Sequence, residues 1–225
     1  MKRLALLIIV LVIILYFQYS EIHKEINEFD ILQYKNPDKD MIEKILFEKK
    51  ISIITDLDFD KIQYNEKSIL FVTPTVYKSL PKEEQTKVLR LLKEYFSYYY
   101  LPLNVKSDIS LNYEKRGTKT ALKLQKNYRF CISQILGSRK LVLFPPNSKN
   151  DLYYNKKTDI FEVDFWNQDI STHPNVEKAK YIEILLHPGQ AIFIPNKWIF
   201  CYITEENSMS VSFYSESIFS SILKF

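Results

Sequence analysis

From residue 102 onward the sequence breaks into nine short apolar and β-branched stretches separated by turn residues. They cover residues 109–113, 121–124, 128–136, 140–144, 160–165, 181–186, 191–194, 198–204 and 209–214. Segments of this length and spacing predict an all-β sandwich or barrel. An aromatic content of 15 %, with 16 Tyr and 15 Phe, favours strands over a helical bundle. The earlier region differs. Residues 40–47, DMIEKILF, set Met41, Ile42, Ile45 and Leu46 at helical spacing. Residues 50–56 and 68–72 read as two short strands. Residues 81–100 are the clearest helix. Pro81 stands in the first turn, Glu83 and Glu84 suit the positive end of the dipole, and Val88, Leu91, Leu92, Tyr95, Phe96 and Tyr99 form an apolar stripe. Helices precede strands, so the expectation is one mainly β domain with flanking helices.

Composition removes several functions. Only three glycines occur, isolated at Gly117, Gly137 and Gly189, which excludes a glycine-rich phosphate or dinucleotide loop. Two cysteines, Cys131 and Cys201, cannot supply a disulfide framework or a four-cysteine zinc site. The net charge is +4, and the 31 basic residues divide into 26 Lys and 5 Arg without a clustered patch, so no nucleic-acid partner is expected.

The N-terminus is apolar. Lys2 and Arg3 precede fourteen consecutive apolar residues, 4–17. With snorkelling cations and interfacial Tyr16 and Tyr19, residues 1–19 would span about 28 Å as a helix. No small-residue cleavage pattern follows, so an uncleaved signal-anchor is the reading, with a cleaved signal peptide as its rival. Basic residues precede the run and Glu21, Glu25, Glu28 and Asp30 follow it. The expected topology is single-pass, N-terminus cytoplasmic, with the remainder lumenal or extracellular. The expected organisation is a transmembrane signal-anchor at 1–20, a stalk at 21–39, a domain at 40–218 and a tail at 219–225.

Four fragments carry a resemblance: QILGSRKLVLFPP at 134–146, DLYY with Val163-Asp164-Phe165 after it, ILLHPGQAIFIPNKWIF at 184–200, and SVSF at 210–213. In this order and spacing the chain resembles the cupin-like JmjC hydroxylases over roughly residues 30–218. Their fold is a double-stranded β-helix, two antiparallel sheets closing a barrel-like pocket that holds Fe(II) and 2-oxoglutarate. The residues themselves agree: Gly137 lies between two strands, Pro145-Pro146 ends one, and Pro188-Gly189 makes a tight turn before another.

The resemblance implies an iron site of two histidines and a carboxylate. The H-x-D tripeptide falls on Leu124, Gln125 and Lys126 when counted from Gln134, or on Lys123, Leu124 and Gln125 when counted from Gly117 and Thr120. The former metal positions are therefore Leu124, Lys126 and Phe200, or Lys123, Gln125 and Phe200. None carries an imidazole or a carboxylate. His23, His173 and His187 stand elsewhere, in juxtamembrane, loop and turn positions. Strand alternation should turn Cys201 away from Phe200. The resemblance further matches Arg139 to the basic residue that pairs with 2-oxoglutarate, Thr120 to a pocket threonine and Ser212 to a late asparagine. Thr120, Arg139, Phe200 and Ser212 are the pocket or anion-binding candidates, and a surface cation is the alternative reading of Arg139.

The expectation is thus a membrane-anchored, cupin-like JmjC-type protein without catalytic residues, metal or cofactor, acting by binding a protein partner or a small organic anion. One alternative is an active Fe(II)/2-oxoglutarate hydroxylase with displaced ligands. The other is a structural membrane assembly protein.

Overall fold

The computed structural model of the chain describes residues 2–47, 50–72, 74–97, 104–167 and 171–217. The expected tail at 219–225 and Tyr99 of the helical stripe lie outside the described residues.

The α-helices among the described residues are α1 (Lys2–His23), α2 (Lys39–Phe47), α3 (Pro74–Ser79) and α4 (Lys82–Phe96). The strands, in chain order, are β1 (Ile31–Lys35), β2 (Ile51–Thr55), β3 (Gln63–Tyr64), β4 (Lys67–Ser68), β5 (Asn104–Glu114), β6 (Lys123–Leu124) and β7 (Arg129–Leu136). They continue with β8 (Arg139–Phe144), β9 (Tyr154–Asn155), β10 (Ile160–Phe161), β11 (Ile182–Leu186), β12 (Gln190–Pro195), β13 (Ile199–Thr204) and β14 (Ser208–Ser217).

Two sheets carry the architecture. The larger runs β1-β2-β12-β7-β14-β5 and the smaller β11-β8-β13-β6. Apart from the parallel β1–β2 pair, the ladders in both are antiparallel. Alternation along each strand divides the apolar residues into three layers. Ile51, Ile132, Ile192 and Ile194 of the larger sheet meet Leu141, Leu143, Ile184, Leu186, Phe200 and Tyr202 of the smaller, and fill the space between the sheets. Cys131, Phe193, Val211 and Phe213 face the other way and pack under α2 and α4 through Ile42, Ile45, Val88, Leu92 and Phe96. On the outer face of the smaller sheet, Val142, Phe144, Ile199 and Cys201 are covered by Leu152, Phe161, Val163 and Val176.

Several elements differ from the sequence expectation. Residues 68–72 were expected as a strand, yet only Lys67–Ser68 is extended and Ile69–Phe71 turns into a 3-10 helix. The Ser68 hydroxyl accepts from the Leu70 amide at 3.3 Å, a local cap that competes with extension. Residues 160–165 stop being a strand after Phe161, and Asp164 Oδ1 accepts from the Trp166 amide at 3.0 Å. The segment expected as a stalk contains β1, which pairs with β2 from Ile31↔Ile51 to Lys35↔Thr55. Just before it the chain is held to the domain. Glu25 meets Lys197 at 3.1 Å and Lys149 at 3.7 Å, and Phe29 packs edge-on against Trp198.

In α1 the apolar side chains from Leu6 to Ile14 are exposed, with no polar face among them. The apolar run at 4–17 is about 21 Å long as a helix at 1.5 Å per residue, short of the roughly 30 Å hydrocarbon core. Among the described residues no helix is long and apolar enough to cross a membrane. The expected transmembrane span is therefore not met by the described residues.

Candidate functional site

The space between the two sheets is lined by β2, β7, β8, β11, β12 and β13, with β5 and β14 closing one end. One end is apolar. Phe200 on β13 is 6 % exposed, and its ring lies 5.6 Å from that of Phe130 on β7. The antiparallel register sets Lys123 directly opposite Phe200 and Leu124 opposite Ile199. Paired residues share a face, so Lys123 belongs to the face of Phe200 and Leu124 to that of Ile199. Leu124 accordingly packs on the outer face of the smaller sheet. Lys126 is exposed and its ammonium pairs with Asp159. Gln125 is buried; its Oε1 accepts from the Asn127 amide at 3.0 Å and its Nε2 donates to the Ile194 carbonyl at 3.4 Å.

Of the two possible placements of the metal positions, 123/125/200 keeps one cross-strand pair, the exposed Lys123 opposite Phe200, with Gln125 engaged on backbone, while Leu124 and Lys126 are held on other contacts. In either placement the side chains are an amine, an alkane, an amide or a phenyl ring. Such a set does not fit iron, which takes imidazole and carboxylate in this geometry. Among the described residues no three His, Cys, Asp or Glu side chains gather as a metal ion would need. His173 sits in a loop with its Nδ1 2.9 Å from the Thr172 hydroxyl and its ring against Tyr153. Cys131 and Cys201 point to the two outer layers and away from the space between the sheets, as alternation predicts for Cys201. Burial pushes the Cys201 thiol up to about 12.

The other end is polar. Arg139 opens β8 and is fully buried, so the reading of a surface cation is corrected. Its place follows from alternation: Arg139, Leu141 and Leu143 share the inward face of β8, and Lys140, Val142 and Phe144 do not. Arg139 Nη2 donates to Glu114 Oε2 at 2.9 Å, Ser210 Oγ at 2.7 Å and Ser208 Oγ at 3.2 Å. The guanidinium lies over the Tyr202 ring, 4.4 Å from its centroid. Tyr202 in turn donates its phenol proton to Glu114 Oε1 at 2.6 Å. Burial, together with this carboxylate, pushes the Tyr202 phenol up to about 12. Gln134 Nε2 completes the group by donating to Ser208 Oγ at 2.8 Å. Among the described residues Arg139 Nε and Nη1 are buried with no hydrogen-bond partner.

The sequence candidates are only partly brought together. Ser212 pairs with Ile132 on the inward face, and its hydroxyl accepts from Asn112 at 3.0 Å. It shares its strand face with Ser210, the partner of Arg139. Thr120 sits beside Tyr202, its hydroxyl accepting from the Tyr202 amide at 2.9 Å. It is engaged with the backbone of β13 rather than with Arg139. Sequence reasoning missed Glu114, Tyr202, Ser208 and Ser210. The signal was present in the alternation of Ser110, Asn112 and Glu114, but the expected strand ended at residue 113, one position short of the carboxylate.

A family model described as the cupin-like domain matches residues 63–220. The chain belongs to this cupin-like family, of the JmjC type. Relatives of this cupin-like chain include Jumonji C domain-containing protein 5 of Drosophila melanogaster, 32 % identical over 88 residues, which are 38 % of this chain and 22 % of the relative. The tRNA wybutosine-synthesizing protein 5 of Homo sapiens is 32 % identical over 82 residues, 36 % of this chain and 25 % of the relative. Among solved structures, ycfD of Escherichia coli aligns with a TM-score of 0.41 and 20 % identity, over 58 % of this chain and 30 % of that one. The matched part of this cupin-like chain spans a quarter or less of the length of the two curated relatives.

Proposed function

We propose that this JmjC-type cupin domain keeps the fold without the oxygenase chemistry and acts by binding a protein partner. The observation that carries the reading is Phe200. It stands opposite the exposed Lys123 in the register and against Phe130, so phenyl rings occupy the place where an imidazole would be needed. A packed apolar end leaves no open coordination position for oxygen or cosubstrate. No metal and no cofactor are part of the proposal. Fold alone does not fix the function, and the reading rests on these side chains.

The same proposal holds the domain to a membrane by its N-terminal segment. Support comes from the uninterrupted apolar run at residues 4–17 and from the exposure of Leu6 to Ile14 on α1. A contiguous apolar surface of this kind needs a cover, and flanking Lys2 and Arg3 favour a cytoplasmic N-terminus with the domain on the opposite face. A nucleic-acid partner is not proposed, since lysine outnumbers arginine 26 to 5 without a patch.

Iron titration of the full chain tests the first part. No saturable Fe(II) binding and no succinate from 2-oxoglutarate are expected. Stoichiometric tight binding, or turnover, would instead establish an active hydroxylase with displaced ligands. For the membrane part, a C-terminal tag should resist protease added outside sealed cytoplasm-out vesicles. Digestion of the tag there would reverse the topology. Crosslinking in the native membrane then separates a defined partner from a purely structural assembly.

A further inference from the structure

We infer that the domain is seated on the bilayer by its apolar end, so that the opposite end, the one holding Arg139, is presented to partners in the aqueous compartment. The inference rests on the membrane attachment proposed above and deepens it by naming the face that meets the lipid headgroups.

The segment between α1 and β1 is caught by the domain almost at once. Glu25 lies two residues beyond the end of α1 and pairs with both Lys197 and Lys149. Asn27 Oδ1 accepts from the Asn147 amide at 2.9 Å, and Phe29 packs edge-on against Trp198. The three residues are two apart, the spacing with which an extended segment lays one face on a surface. Their contacts converge on one end of the smaller sheet. Asn147 and Lys149 belong to the 3-10 turn after β8, and Lys197 and Trp198 to the turn before β13. Phe144 and Ile199 pair at that end, and Arg139 and Thr204 at the other, about 17 Å along the ladder. The far end carries the exposed Arg116, Glu205 and Glu206, a charged rim beside Thr204.

Chain length fixes how far the near end can stand from a membrane. Six residues of α1 follow Phe17, about 9 Å as helix. Two further residues to Glu25 add at most about 7 Å. The segment is therefore caught within about 16 Å of the hydrocarbon edge, and the headgroups fill about 5–7 Å of that. A domain held so closely cannot turn its far end toward the lipid while these contacts last. The face it keeps there carries Lys149 and Lys197, and ammonium groups suit a phosphate-bearing surface.

The test uses the full chain in phosphatidylcholine vesicles with a fluorescence acceptor on a fraction of the headgroups. A donor dye is placed either at Asn150→Cys, beside Lys149, or at Glu206→Cys, at the far end. Both positions are exposed, and the native cysteines are buried. Flotation with the vesicles is read first and reports the attachment alone. In floated protein, transfer from residue 150 should exceed that from residue 206 about twofold or more, given the spacing of the two ends. Equal transfer, or more from residue 206, would overturn the inference and leave the attachment in place. Two variants then release the segment: Glu25→Lys, which sets another cation against Lys149 and Lys197, and the triple change Glu25→Ala, Asn27→Ala and Phe29→Ala. Both should still float and should lose the difference between the two dye positions. A difference that survives in both would also overturn the inference, since these contacts would not be what seats the domain. Protein that does not float removes the attachment and the seat together.

Discussion

Phe130 on β7 and Phe200 on β13 meet across the space between the two sheets, with ring centroids 5.6 Å apart and planes inclined by 33°. The contact joins strands that belong to different sheets. It makes Phe200 a structural tie in a position where the family resemblance implies a metal ligand. Truncation to alanine should open a cavity lined by Phe130, Ile194 and Leu143, and large-to-small changes of this kind typically cost about 3–5 kcal/mol. Urea unfolding of Phe200→Ala should show that loss, while partner crosslinks made elsewhere on the surface persist. An unchanged midpoint would place Phe200 outside the core.

The Lys123↔Phe200 pairing decides which residues could be rebuilt into a metal site. Lys123→His, Gln125→Asp and Phe200→His together put imidazoles directly opposite one another on one face. This triple variant should gain Fe(II) or Co(II) binding measurable by titration. The parallel set Leu124→His, Lys126→Asp and Phe200→His should not, since Leu124 packs in the outer layer and Lys126 lies at the surface against Asp159. Tighter binding by the second set would show that the strand register is different in solution.

Gly137 makes the turn between β7 and β8 with φ +65°, and a Cβ added there would lie 2.4 Å from the backbone oxygen of Asn207. Both the left-handed backbone and the close approach oppose a side chain. Gly137→Ala should cost more than about 1 kcal/mol and lower the melting temperature by several degrees. Because Gly137 also accepts from Gln134 Nε2 at 3.1 Å, the loss should be accompanied by loosening at the Arg139 end. Amide exchange of β7 and β8 checks this.

Alkaline pH should unfold the protein sooner than an unperturbed chain. Burial, then the Glu114 hydrogen bond and charge, push the Tyr202 phenol up to about 12. The Cys201 thiol is pushed up to about 12 by burial and then by Asp164. Both groups keep their protons in the folded state at a pH where the unfolded chain has released them. Their contribution is therefore full below about pH 8.5 and falls as pH rises toward 12, by up to about 1.4 kcal/mol per pH unit for each group. Urea midpoints at pH 8 and pH 10.5 should show this fall. In the folded protein at pH 8 neither Cys131 nor Cys201 should react with a thiol reagent, and both should react once it is unfolded.

Local patterns carried much of the architecture. The stretches at 128–136, 140–144 and 191–194 became β7, β8 and β12, because an alternating or continuous apolar run bounded by turns has few other stable forms. The stripe on α4 placed Val88, Leu92 and Phe96 in the core for the same reason. Edges were less legible. Residues 31–35 became a strand because β2 offered them a parallel partner, and nothing within those five residues announces it. Residues 68–72 lost theirs to a serine cap. In the site, Arg139 was identified from the resemblance and its burial was not, since a lysine beside it and a serine before it read as surface.

By itself the sequence determined the chemistry that the domain can offer. No histidine stands at the positions that the resemblance implies for iron, and residue 200 is a phenylalanine in any fold. Alternation also determined that Arg139, Leu141 and Leu143 share a face. Which groups meet that face was decided by the tertiary structure alone. Glu114 lies 25 residues before Arg139, and Ser208 and Ser210 lie 69 and 71 residues after it. They converge because β14 pairs with both β5 and β7 and the smaller sheet closes over them. Period-two alternation fixes the side of a strand on which a residue projects, but strand pairing is non-local and fixes the partner. That is why the buried ion pair at one end of the fold, and the phenyl contact at the other, emerge only when the sheets are assembled.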